Sequence, residues 1–134
     1  IRTWLPSIGS VYMKRDDIRQ SMQAILTAGE NMKKGLNMVI FPEGTRARGK
    51  DELDMLPFKE GSLKIAEKSG CPVIPVAMVR TADIFEKHTP RVLPTEVTIY
   101  YGKPIYLKEL EPEQRKHAGA YTKEVITERI REIM

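Results

Sequence analysis

The stretch Val39-Ile40-Phe41-Pro42-Glu43-Gly44-Thr45-Arg46 decides how this chain reads. An apolar run with β character, Leu36–Phe41, meets a proline at Pro42. Proline cannot donate to a sheet ladder, so a strand has to stop there or lie at an edge. Gly44 has no Cβ and accepts a positive φ, which permits a tight turn. Glu43 and Arg46 are then displayed at the end of a buried strand, the place where open α/β sheets bind ligands. A guanidinium there suits a phosphate, because its planar fork bonds two oxygens at once. The plainer alternative is a surface ion pair between Glu43 and Arg46, worth about 0–1 kcal/mol.

Upstream, Val11–Met13 reads as a short strand that delivers Lys14 and Arg15. Before it lies a loop over residues 1–10, broken by Pro6 and Gly9, with Trp4 as a core plug. Asp16 or Asp17 can cap a helix whose apolar positions are Ile18, Met22, Ile25, Leu26 and Met32. Gly35 ends it after Lys33 and Lys34. The methionines of this stretch read as core residues.

Downstream, Arg48, Gly49, Lys50, Asp51 and Glu52 form a polar loop, either plainly solvated or a mobile lid. Phe58 returns the chain to the core. Lys59 either reaches the same anion as Arg46 or is a surface lysine. Ser62–Ser69 reads as a helix stopped by Gly70. Val73–Val79 is a nearly continuous apolar run, as in a strand buried on both faces, with Pro75 marking an edge or a bulge. Thr95–Tyr101 alternates as a strand. Pro112 opens a final helix that turns Tyr121, Val125, Ile126, Ile130 and Ile133 inward and its Lys, Glu and Arg residues outward, with Gly119 as an interruption. Strands alternating with helices predict an α/β fold with a mixed, largely parallel sheet flanked by helices.

The 134 residues hold one domain at most. Hydrophobic content of 41% and charged content of 30% are ordinary for a globular chain. A net charge of +4 favours phosphates, a membrane surface or nucleic acid over cationic partners. No nucleic-acid motif or interleaved aromatic pattern is present, so no nucleic acid is expected as a partner. The single cysteine, Cys71, excludes an internal disulfide and reads as a buried structural thiol. Two distant histidines and one cysteine do not make a zinc site. No apolar run approaches the ~20 residues that span a bilayer.

The hexapeptide Phe41–Arg46 resembles the third sequence block of the glycerolipid acyltransferases, the family of lysophosphatidic acid acyltransferase. Gly9–Arg15 resembles the second block, Pro57–Ser62 the continuation of the third, and Val73–Ala77 the fourth. The likeness covers roughly Trp4 to Pro104. Lys14 stands where the family usually has an acidic residue, and Ala47 where a serine is common. The family's first block, a His, four residues and an Asp, has no counterpart: Leu93 and Thr122 occupy the Asp positions relative to His88 and His117. The chain therefore reads as the C-terminal portion of an acyltransferase domain, N-terminally incomplete.

The resemblance implies transfer of an acyl group from acyl-CoA or acyl carrier protein to the hydroxyl of lysophosphatidate, with no cofactor. The first-block His acts as general base in such enzymes, so this chain alone is expected to be inactive, with no catalytic residue of its own. The resemblance implies that Arg15 and Arg46 hold the acceptor phosphate, and Lys59 is a further candidate for the same anion. Glu43 orders the arginines or the glycerol part, Gly44 lets the backbone approach the ligand, and Thr45 counts among the substrate-binding residues. The strand around Pro75 helps wall the acyl or acceptor pocket. The expected location is the cytoplasmic face of a membrane, peripheral or anchored through segments absent from this chain. The alternative is a non-catalytic module that binds acidic phospholipid headgroups.

Overall fold

In the computed structural model, which describes residues 5–12, 17–47, 49 and 51–134, Asp17 starts the first long helix. Its carboxylate accepts the Gln20 N–H at 3.0 Å, which satisfies one of the free donors of the first turn. Helix α1 runs Ile18–Lys33 and closes at Gly35, whose φ is 88°. It packs against helix α2, Glu60–Ser69. The buried residues of α1 are Ala24 and Ala28. Small side chains let two helix backbones approach, so the bulky stripe faces elsewhere. Met22 is 50% exposed and Leu26 49%, which corrects the expectation that these positions form core.

Helix α2 buries Leu63, Ile65 and Ala66. Gly70 ends it in the left-handed conformation, φ 72°, and donates its N–H to the Ala66 carbonyl. Strands β1 (Val76–Val79) and β2 (Thr98–Tyr101) follow. They pair antiparallel, Val76 opposite Tyr101 and Val79 opposite Thr98. Between them lie single 3-10 turns at Thr81–Asp83 and Glu86–His88. There Lys87 hydrogen-bonds Asp83 at 2.6 Å, which holds the Asp83 carboxyl below its ordinary range.

The expected mixed, largely parallel sheet is corrected to this one antiparallel pair, in a structure that is mostly helical among the described residues. The physical reason is that a strand is defined by its neighbour. Residues 36–41 carry strand-like composition but pair with no described strand, leaving Val39 83% and Phe41 71% exposed. Val11 and Tyr12 are irregular, while Met13, Lys14, Arg15, Asp16 and Trp4 lie outside the described residues. The Val73–Val79 run is not buried on both faces. Ala77 and Val79 turn inward to α4, while Val76 and Met78 face outward beside Tyr101 and Ile99.

Pro75 sits at a slip in the register. Beyond the ladder, Val73 and Ile105 exchange both backbone hydrogen bonds, at 2.9 and 2.8 Å. From Val76 to Val73 the chain moves three residues; from Tyr101 to Ile105 it moves four. The extra residue falls around Gly102, whose N–H reaches the Pro75 carbonyl at 2.8 Å. This is the bulge that proline in an apolar run suggested.

The final helical segment breaks at His117 into α3 (Pro112–Lys116) and α4 (Ala118–Ile133). At the break, the Gly119 N–H is shared by both Glu60 carboxylate oxygens, at 3.1 and 2.9 Å. An acidic group from α2 thus caps the start of α4, where the helix dipole favours negative charge. Arg115 binds Glu67 through two guanidinium nitrogens, joining α3 to α2. Helix α4 then serves two cores. Leu63, Ala66, Ile105, Leu107 and Ala118 form one, and Ala77, Val79 and Ile130 the other, with Leu53 and Met55 packed on the second. No helix among the described residues is long and apolar enough to cross a membrane.

Two stability outcomes follow. Ile130→Ala removes the α4 contribution to the second core and is expected to cost about 2–4 kcal/mol in urea unfolding. Gly119→Ala places a methyl group 2.7 Å from Glu60 Oε1 and 3.1 Å from the Phe58 carbonyl, so Tm should fall, although alanine is the better helix former. A Gly119→Ala variant that melts at or above wild type contradicts this cap.

Candidate anion-binding site

The stretch Phe41-Pro42-Glu43-Gly44 closes as a tight turn, with the Gly44 N–H donating to the Phe41 carbonyl at 3.1 Å. Proline second and glycine fourth is the favoured order for such a turn. Gly44 has φ 72°, as its sequence position required. The Lys59 N–H then bonds the Pro42 carbonyl at 2.9 Å, bringing the far end of the following loop back to the turn. The Lys59 side chain lies directly over Gly44. A Cβ at that glycine would sit 2.9 Å from Nζ and 3.0 Å from Cε. Gly44 therefore admits a cation as well as a turn.

Glu43 and Arg46 are not an ion pair. The Glu43 carboxylate instead accepts the Leu56 N–H at 2.7 Å, thirteen residues on. Arg46 is exposed, and neither its guanidinium nor the Lys59 ammonium has an acidic partner among the described residues. Thr45 is exposed beside Arg46. The turn thus presents two uncommitted cationic side chains, Arg46 and Lys59, while its one carboxylate is spent on a backbone amide. Arg15 lies outside the described residues.

The loop behind the turn is braced. The Asp51 carboxylate accepts the Leu53 N–H at 3.0 Å, and Asp54 accepts the Asp51 N–H at 3.1 Å. Glu52 accepts the Arg80 N–H at 2.7 Å, at the left-handed residue that ends β1. Lys123, from the middle of α4, donates to the Met55 carbonyl at 2.6 Å. The amphipathic pattern turns the lysines of the final helical segment outward, whereas Lys123 is half-buried and bonds this loop. Glu52 and Lys123 were not legible as part of the site. Their partners are backbone atoms 28 and 68 residues away, and no local spacing encodes them.

Pro75 lines a groove of about 390 Å³ between the strands and α4, together with Tyr100, Lys103, Val125 and Arg129. Arg129 lies over the Tyr100 ring, 4.1 Å from its centroid. None of residues 39–46 lines this groove, so the structure does not bring Pro75 and the turn into one cavity. Cys71 is half-buried.

Comparison with known proteins bears on what such a turn is for. The sequence model described as Acyltransferase matches residues 1–79, which include the whole turn. A 1-acyl-sn-glycerol-3-phosphate acyltransferase of Cocos nucifera is 33% identical over 123 residues, covering 85% of this chain and 39% of its own length. One from Limnanthes douglasii is 34% identical over 110 residues, 76% of this chain and 38% of that protein. The crystal structure of the 1-acyl-sn-glycerophosphate acyltransferase PlsC from Thermotoga maritima superposes with a TM-score of 0.71 at 32% identity, over 85% of this chain and 45% of that one. The chain thus spans under half the length of these relatives. With the family pattern running over more than half its residues, the chain belongs to the acyltransferase family and is homologous over most of its length to 1-acyl-sn-glycerol-3-phosphate acyltransferases.

Proposed function

We propose that this chain supplies the acceptor-phosphate site of a phospholipid-synthesising acyltransferase that moves a fatty acyl group from acyl-CoA or acyl carrier protein to lysophosphatidate. The observation that carries the reading is the division of charge at the turn. Glu43 is bonded to the Leu56 amide, while Arg46 and Lys59 are left for an anion. Arg46 takes two phosphate oxygens through its fork, and Lys59 adds a point charge above Gly44. Arg15 belongs to the same site by its place in the family's second block. Holding the acceptor by its phosphate fixes the free hydroxyl beside the thioester, and such positioning is itself catalytic.

The hydroxyl oxygen attacks the thioester carbonyl, the C–S bond breaks, and the thiol leaves with the proton removed from the hydroxyl. A general base accelerates that proton transfer by about 10²- to 10⁴-fold. The His-x4-Asp pair that resemblance assigns to this role is not among the 134 residues. The chain by itself is therefore expected to transfer no acyl group at a measurable rate. Its association with a membrane is peripheral in this reading, through the anionic headgroup of the acceptor.

Two outcomes test the reading. In a version of the protein that includes the His-x4-Asp pair, Arg46→Ala should lower kcat/KM for lysophosphatidate about 10- to 100-fold, the scale of a lost charged hydrogen bond. Arg46→Lys should recover only part of the loss, because an ammonium is not a fork. Thiol release from acyl-CoA measures both, and an unchanged kcat/KM in Arg46→Ala removes Arg46 from the site. Sedimentation with anionic vesicles, without acyl transfer by the longer protein from either donor, would instead favour a headgroup-binding module.

A further inference from the structure

The Met55 carbonyl and the Leu56 N–H belong to one peptide group. Each end of that group meets a charge. Its N–H points to Glu43 Oε2 at 2.7 Å, and its C=O accepts from Lys123 Nζ at 2.6 Å. In a trans peptide these two bonds run in opposite directions, so the group stands as a rod between a carboxylate and an ammonium. Both bonds are charge-assisted, and each polarises the amide in the sense that strengthens the other. Side-chain packing holds the rod in place: Met55 and Leu53 lie against the core formed by Ala77, Val79 and Ile130, and Lys123 shares its helix with Ile130.

From this arrangement we infer that Lys123 is a positioning residue for the anion site. It acts through the 55–56 peptide group to fix Glu43, and through Glu43 the turn that carries Arg46. The inference rests on the acceptor-phosphate reading of that turn and extends it to α4, a helix that contributes no residue to the turn itself. Two consequences separate it from a plain structural lysine. Glu43 acts on the ligand only by staying bound to the backbone, since a carboxylate released beside an anion would repel it. Lys123 and Glu43 are also one coupled unit, so removing either should do what removing both does.

The test uses the 134-residue chain with hexanoyl lysophosphatidate, a short-chain acceptor that stays in solution, and follows the Leu56 amide by NMR. Lys123→Met keeps the aliphatic stem and removes the donor. It should weaken binding about tenfold while Tm stays within about 5 °C of wild type. Lys123→Arg should restore binding. Glu43→Gln should match Lys123→Met, and the double variant should lose little more. In both single variants the Leu56 amide signal should shift and its hydrogen exchange should speed up. Wild-type affinity in Lys123→Met overturns the inference, as do additive losses in the double variant. If the wild-type chain binds no acceptor at millimolar concentration, the acceptor reading fails and the positioning role fails with it. The peptide relay is then judged on Leu56 alone, and an unmoved Leu56 signal in Lys123→Met removes it too.

Discussion

A two-stranded antiparallel ribbon does not hold itself together in water, and β1–β2 persists because α4 lies across one of its faces. That requirement organises the described fold. Ala77 and Val79 turn toward the helix, and Ile130 comes down between them and the loop residues Leu53 and Met55. About three turns of helix earlier, α4 closes the other core, where Ala118 meets Leu63 and Leu107. The carboxylate of Glu60 fixes where α4 begins. A helix that must satisfy two cores and a fixed starting point has no freedom to slide, and everything attached to it inherits that rigidity.

The turn at Pro42–Gly44 is one such attachment. Its backbone is closed by local hydrogen bonds, but its orientation depends on the loop of residues 51–59, and that loop is fixed by groups from β1 and α4. The bonds involved are short and mostly use charged partners on backbone atoms. Each is stronger than a neutral hydrogen bond and less exposed to competition from salt than a free ion pair. The cationic side chains of the turn, Arg46 and Lys59, are left outside this network. A site built this way keeps its rigid parts and its ligand-facing parts separate: Glu43, Glu52 and Lys123 hold the frame through backbone atoms, and the Arg46 guanidinium and the Lys59 ammonium are left free of it.

What could be read from the residues alone was local. Asp17 as a helix cap, Gly70 as a left-handed stop and the Pro42–Gly44 turn all depend on neighbours within a few positions, and all appear where the chain chemistry put them. The sheet was misread for the opposite reason. Composition marks Leu36–Phe41 and Val73–Val79 as strand-like, but pairing direction and burial on a second face are decided by distant segments. The α1 stripe failed similarly: the buried positions are the alanines Ala24 and Ala28, while Met22 and Leu26 stand half exposed. Of the site, Gly44 and the cations of the turn were visible. The partner of Glu43 was not, since a side chain bonding a backbone amide leaves no mark on the identity of the residue it bonds.

The register slip at Pro75 has a consequence for chain length. Before it, the ribbon sends Ala77 and Val79 into one core; after it, Ile105 enters the other. Both demands are met by a single hairpin because one extra residue around Gly102 reorients the strand between them. Removing that residue would straighten the ladder and still leave Ile105 opposite Val73, so the pairing would survive and the bend would be lost. Between Tyr101 and Ile105 the residue count therefore decides whether the ribbon bends: with the extra position it kinks at the Pro75–Gly102 contact, and without it the ladder would run straight past both cores.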